Sequence, residues 1–208
     1  MLRLASILFA ATLLASTAAA ADPTSRDPLK VPAGSYVLDK HHAGLIVRTS
    51  HMGGFSHYTM RFNRLSGSFD YDPVNWQSTQ VSIPVDPKSI DTEDSIFSRT
   101  VAGYFDPEKY PAILFNSTEL KVDSEGKGQL TGDLTFHGVT KPVTLDVTFN
   151  GVGPGLLGAG TRMGFSGSGR IKRSEFGVNA VRLFAGDEVD LLFEIEFSKK
   201  EERVFHED

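Results

Sequence analysis

Four histidines, His41, His42, His51 and His57, fall close together in the chain, and three imidazoles can hold a first-row transition metal. Adjacent residues on an extended strand point to opposite faces, so at most one of His41 and His42 serves a given site. No His-Glu-x-x-His pair, no cysteine and no carboxylate at fixed spacing supports them. The expectation is therefore ordinary loop and strand-end histidines, with no metal site. His137 precedes Gly138 at what reads as a hairpin, where it would cap the turn. Gly153-Pro154-Gly155-Leu156-Leu157-Gly158 spells Gly-x-Gly-x-x-Gly, but a dinucleotide site needs a helix to follow and receive the pyrophosphate. The run from Gly160 to Gly169 is too rich in glycine and serine to be that helix, so a flexible hairpin loop is expected. Asp91, Glu93 and Asp94 sit in a polar stretch where solvated charge is the default. There is no Gly-x-Ser-x-Gly elbow, although composition does not exclude a Ser-His-Asp trio assembled from distant positions.

Zero Cys removes disulfides, thiolate zinc sites, iron–sulfur clusters and cysteine nucleophiles together. No cofactor is implied. The chain is acidic, with net charge -5 over 208 residues, and its basic residues are scattered rather than gathered in a stripe with aromatics. Nucleic acid is not an expected partner.

The N-terminus reads as an export signal. Met1-Leu2-Arg3 gives a short positive start, Leu4 to Ala20 is almost wholly apolar or small, and Ala18 to Ala21 offer the pattern that signal peptidase cuts. Residues 1–21 are expected to be removed, with a cut after Ala20 or Ala21. No later stretch is apolar for the ~18 residues of a membrane span, so no transmembrane segment is expected. An exported chain without Cys suits a bacterial periplasm. Residues 22–33, with three Pro among small and charged residues, read as a linker, 34–199 as one domain and 200–208 as a charged tail.

The elements that would position any site are strands. Apolar residues alternate in Leu45-Val47-Thr49, Met60-Phe62, Leu65-Gly67-Phe69-Tyr71, Val81-Ile83-Val85, Ile113-Phe115, Leu130-Gly132-Leu134-Phe136, Val143-Leu145-Val147-Phe149, Met163-Phe165-Gly167-Gly169-Ile171 and Val189-Leu191-Phe193-Ile195-Phe197. A register break near Arg64 interrupts the second run. This period of two, with polar residues between, gives about eight strands with one apolar face each. Turn chemistry at Ser124-Glu125-Gly126, His137-Gly138 and Asn150-Gly151 joins them. Only Thr92 to Gly103 lacks alternation, and it suits a short helix capped by Thr92 or Asp91. Long, consecutive, single-faced strands favour an all-β fold, a single antiparallel eight-stranded barrel with one short helix. A sandwich is the alternative architecture.

An eight-stranded barrel is marginal in size, because side chains can fill its interior or leave room for one small ligand. Of the aromatics, 15 are Phe and one is Trp, and a Phe wall has no donor that needs a partner. Glycines at inward positions (Gly67, Gly132, Gly167, Gly169) withdraw volume beside those rings, as an elongated apolar cavity would require. A packed barrel whose glycines mark bulges and close backbone approach reads equally well from the residues.

Several segments resemble the YceI-like family of periplasmic proteins. They are Tyr36-Val-Leu-Asp39 with His42, Gly67-Ser-Phe-Asp-Tyr-Asp72, Tyr104-Phe105-Asp106, Tyr110-Pro-Ala-Ile-Leu-Phe115 with Asn116-Ser-Thr118, Leu130 to Leu145, and Arg173-Ser-Glu-Phe-Gly-Val178. They run in order from about Ser35 to Lys199. The chain departs from the family's usual pattern at His57-Tyr58-Thr59 and Ile96 to Gly103, both where a tunnel mouth would lie.

The resemblance implies a lipocalin-like barrel whose apolar tunnel holds a polyisoprenoid or quinone-like chain, with no catalytic residues. The function expected is thus binding or carriage of an isoprenoid or other long-chain lipid in the periplasm. The lining expected from the alternation is Met60, Phe62, Phe69, Ile83, Phe115, Leu134, Phe136, Phe165 and Phe193, with a polar head group at the mouth near His57, Arg61 or Arg99. Each buried CH₂ contributes about 0.8 kcal/mol, so a long chain can be held without polar contacts. Two other classes stay open: a packed structural or interaction module without a ligand, and an enzyme on a small apolar substrate, which would need a polar trio on the inward faces. Oligomeric state is not legible.

Overall fold

The computed structural model describes residues 24–155 and 158–200. The expected signal (1–21), residues 201–208 of the expected charged tail and Leu156-Leu157 lie outside the described residues.

Ten strands and one α-helix follow one another as β1 (Gly34–His51), β2 (Ser56–Phe62), β3 (Ser68–Tyr71), β4 (Ser82–Val85), β5 (Ile90–Asp91), α1 (Ser95–Gly103), β6 (Ile113–Val122), β7 (Lys127–Phe136), β8 (Val139–Pro154), β9 (Thr161–Lys172) and β10 (Ala185–Lys199). All strand pairings are antiparallel. The sheet runs β10-β9-β8-β7-β6-β4-β3-β1 and closes through β10 with β1. That ring of eight strands is the barrel expected from the alternation, and closure removes the sheet edges that a sandwich would keep.

The long first strand makes the ring irregular. Its opening half, Gly34 to Val37, pairs with β3, and its closing half, Leu45 to His51, pairs with β2 along the same edge. The run read as one strand with a break near Arg64 is therefore two strands laid end to end on β1. At the β2 end the wall continues as β5, bonded to Arg61 and Phe62, and as α1. Between β3 and β4 the seam is thin: Ser68 pairs with Ser82, and Leu65 bridges to Val85.

Helix α1 lies within the stretch 92–103 where a helix is expected, but it starts later, at Ser95, and its cap is Asp94, whose carboxylate accepts from the backbone N–H groups of Ile96 and Phe97, each at 2.8 Å. Asp91 instead accepts from Glu93 N–H, and the Thr92 hydroxyl donates to the Asp94 carbonyl. Both are local turn contacts that precede the helix. Two turn readings also divide. His137 and Gly138 take positive φ of 50° and 77° and make the two-residue hairpin turn between β7 and β8. Asn150-Gly151 is not a turn: it is a bulge inside β8, where pairing with β9 shifts between Phe149 and Gly151.

The linker reading of 22–33 is revised for its described part. Ser25 bridges to Val152 of β8, Pro28–Lys30 form a 3₁₀ turn, and Val31 is 1% exposed. Tyr36 and Tyr71 donate their hydroxyls to the carbonyls of Pro32 and Pro28, at 2.8 and 2.9 Å. Prolines suit this segment because its N–H groups need few partners while its carbonyls accept from the barrel. Among the described residues, no helix is long and apolar enough to cross a membrane.

Candidate functional site

Strand alternation directs one face of each ring strand into the barrel, and the interior is not filled. Tyr36, Phe69, Phe197 and Met163 are buried toward the segment 25–33, the last three also reaching the lumen. Leu45, Met60, Ile83, Phe115, Leu191 and Phe193 also face inward yet stay only partly buried. They line a cavity of about 680 Å³ that runs from Pro28 and Tyr71 to Val181 and Phe184. That volume lies within the ~300–1,000 Å³ of small-molecule sites. Its wall is almost wholly apolar.

All nine residues expected at the lining are found there: Met60 and Phe62 on β2, Phe69 on β3, Ile83 on β4, Phe115 on β6, Leu134 and Phe136 on β7, Phe165 on β9 and Phe193 on β10. They share a wall with Phe105 and Val101, which α1 and its following turn supply. The Phe105 ring packs against Phe62 and Phe136, at 6.2 and 5.4 Å between centroids, so the helix closes the gap that β2 leaves toward β7.

The inward glycines act differently from the way composition suggests. A Cβ at Gly169 would lie 2.5 Å from the Leu145 methyl, one at Gly67 2.5 Å from the Ile83 methyl, and one at Gly132 2.6 Å from the Phe115 ring. At Gly167 it would strike the ring of Phe193, its direct cross-strand partner. Each glycine is a bed on which a neighbouring strand's large side chain lies flat. The rings therefore follow the wall instead of projecting into the lumen.

One end of the cavity is a mouth built by three segments: the β1–β2 hairpin, α1 and residues 178–185. Met52 N–H donates to the Phe184 carbonyl at 2.8 Å, and the Tyr58 ring meets Phe97 edge-on at 5.5 Å. His57 and Arg61 occupy outward positions of β2, and Arg99 lies exposed on α1. None of the three is in the lining, whose polar members at this end are Thr49, Ser50, His51, Tyr58 and Arg173.

Arg173 is the functional residue that the sequence hides. It is buried, and its guanidinium donates to the carbonyls of Gly186 (2.8 Å), Val178 (2.9 Å), Ala180 (2.7 Å) and Ala185 (2.8 Å). Burial pushes its pKa down, partly offset by Asp187. Four carbonyls held by one planar fork fix the course of the mouth loop. Thr49 adds a fifth tie, its hydroxyl donating to the Gly186 carbonyl at 3.0 Å. The only outward sign was a lone Arg at the head of Arg173-Ser-Glu-Phe-Gly-Val178.

Among the described residues one group, Asp39, His42 and Glu196, brings three metal-ligating atoms within 4.8 Å of one another. Arg162 already occupies its centre, with Nη1 at 2.7 Å from Asp39 and 3.0 Å from Glu196. The His42 hydrogen bond, His41 N–H and Arg162 hold the Asp39 carboxyl well below the usual carboxylate range, against the opposing effect of burial. A guanidinium supplies the positive charge these carboxylates need, so the cluster is an ion-pair staple joining β1, β9 and β10. His137 likewise has a structural place, with Nδ1 3.2 Å from the Phe176 carbonyl and its ring against Tyr110.

The fold and its lumen define a lipocalin-like barrel, a closed antiparallel wall around a long apolar cavity. Within that class the chain belongs to the family described by the YceI-like domain, whose model matches residues 36–197. It is 33% identical over 177 residues to a UPF0312 protein of Vibrio cholerae, covering 83% of this chain and 92% of that one. A UPF0312 protein of Pseudomonas aeruginosa is 34% identical over 168 residues, covering 79% and 86%. Among solved structures, Burkholderia cenocepacia BcnA superposes with a TM-score of 0.65 at 26% identity over 76% of this chain and 98% of its own. A polyisoprenoid binding domain from Saccharophagus degradans, implicated in plant cell wall breakdown, gives a TM-score of 0.61 at 18% identity over 79% and 98%. At that identity the likeness is one of fold.

Proposed function

We propose that this protein binds a long-chain isoprenoid or similarly elongated apolar lipid in the barrel lumen, and carries or sequesters it in the periplasm. The observation that carries the reading is the continuous cavity of about 680 Å³ with Phe-rich, almost unbroken apolar walls. Each CH₂ that leaves water for such a wall gains about 0.8 kcal/mol. The absence of fixed polar contacts suits a chain recognised by length and shape, with weak discrimination between neighbouring lengths. Binding is favoured over catalysis because the wall is almost wholly apolar and three of its polar side chains are committed elsewhere. Arg173 and Thr49 are spent on backbone carbonyls, and Tyr71 on the Pro28 carbonyl.

The test is Ile83→Trp, which sends an indole into the lumen from β4. Overpacking a filled core costs about 1–3 kcal/mol, whereas here the ring enters empty space. Delipidated variant and wild type should show similar urea midpoints, while the variant binds a dansyl-labelled isoprenoid alcohol at least tenfold more weakly. A large stability loss in a protein whose wild type never takes up the probe overturns the reading in favour of a structural barrel.

A further inference from the structure

The mouth carries a second feature that the lumen does not explain. Phe55 at the β1–β2 hairpin, Leu183 in the mouth loop and Ile96 on α1 are 88%, 87% and 69% exposed. Met52, Phe97 and Phe184 are exposed beside them. With Val181, also exposed, most of the exposed large hydrophobic residues among the described residues thus gather at one end of the barrel. Phe55, Leu183 and Ile96 are not part of the cavity lining, so holding a ligand does not account for them. A soluble barrel gains nothing by presenting such a rim to water.

The charge around the rim is equally uneven. Residues 49–58, 95–104 and 179–186 contain no Asp or Glu, although the chain has 26 acidic residues and a net charge of -5. They contain Arg99 and Arg182, both exposed, together with His51 and His57. An anionic surface would be repelled by the barrel as a whole, but would meet cations and apolar side chains at this end.

We propose that the rim docks on the surface of an anionic lipid bilayer, with Phe55, Leu183 and Ile96 inserted at the headgroup–acyl boundary and Arg99 and Arg182 against the phosphates. This inference rests on the reading of the lumen as a lipid site and adds where the lipid is exchanged. The charge pattern complements anionic headgroups, and aromatic and leucine side chains ringed by Arg suit shallow interfacial burial. The rim is also continuous with the lumen, since Phe97 and Phe184 belong to both. Docking would bring the cavity mouth to the hydrocarbon boundary, so that an insoluble chain passes between bilayer and barrel without crossing water.

The experiment is co-sedimentation of the purified protein with vesicles of phosphatidylcholine and phosphatidylglycerol (7:3) or of phosphatidylcholine alone. Wild type should bind the mixed vesicles at least tenfold better than Phe55→Ser/Leu183→Ser. Arg99→Glu/Arg182→Glu should lower binding to the mixed vesicles and leave the weak binding to phosphatidylcholine unchanged. Uptake of the dansyl isoprenoid from ethanol solution, measured on the same proteins, should be unaltered by either pair of substitutions. Uptake without any vesicle binding by wild type, or equal vesicle binding by all three proteins, overturns the docking while leaving the lumen reading intact. No uptake by wild type, even with vesicle binding, removes the lumen reading and the exchange role with it. A wild-type dimer that Phe55→Ser/Leu183→Ser dissociates, with no vesicle binding, overturns the docking in favour of self-association.

Discussion

At the scale of single residues, Arg173 shows how a buried cation can be structural without a carboxylate in direct contact. Its charge is compensated by four carbonyl dipoles, all from residues 178–186, with Asp187 held close by Ser174, whose hydroxyl donates to it at 2.7 Å. Arg173→Met keeps much of the side-chain volume and removes every donor. Buried acceptors left without partners cost about 1–3 kcal/mol each, less where water can reach them, so a total loss of about 2–4 kcal/mol is expected. The loss should be local as well as global. Hydrogen exchange at Val178 to Ala185 should speed up well beyond the change seen in β7 and β8, and uniform acceleration would show that Arg173 does not position the loop. Arg173→Lys should rescue little, because a single ammonium cannot span four carbonyls.

At the scale of elements, the glycine beds make an unequal pair of predictions. Gly169→Ala meets only the tip of Leu145, which can swing into the open lumen, so stability should fall by less than about 1 kcal/mol. At Gly167 an added Cβ meets the carbonyl oxygen of Asp146 at 2.5 Å as well as the Phe193 ring, and backbone cannot step aside. Gly167→Ala should therefore cost about 1–3 kcal/mol. Urea denaturation of the two variants checks the order, and a costlier Gly169→Ala would contradict the packing described. The strands themselves were legible because a period of two is a local property of each segment, and the lining followed from it. Their irregularities were not. Pairing shifts between Leu38 and Ala43, between Ser117 and Glu119 and between Phe149 and Gly151. In β6 the inward series Ile113, Phe115, Ser117 accordingly resumes as Leu120 and Val122. Nothing at Thr118 announces that flip, since a bulge is decided by how neighbouring strands fit. The rim was only partly visible for a similar reason: Phe55, Ile96 and Leu183 are far apart in sequence and meet only through tertiary structure.

At the scale of the whole molecule, a tube with one apolar rim has a direction, and its place in the cell sets what it can meet. If residues 1–21 act as an export signal, the protein recovered from the periplasmic fraction should begin at Ala21 or Asp22. N-terminal sequencing that finds Met1 intact on the mature protein would contradict this. Residues 24–33 pack against the barrel, and Val31 and Pro28 belong to the folded body. The reclining side chains of Ile83, Leu145, Phe115 and Phe193 have a consequence at this scale too. The calibre of the passage is set by four positions that carry no side chain at all. At Gly169, where the nearest backbone atom stays 3.7 Å away, one added carbon tips the Leu145 side chain into the bore and leaves the strand register and the outer surface alone. At that one position gauge and fold can vary independently, and a barrel of unchanged outline can be refitted for a slimmer guest by a single methyl.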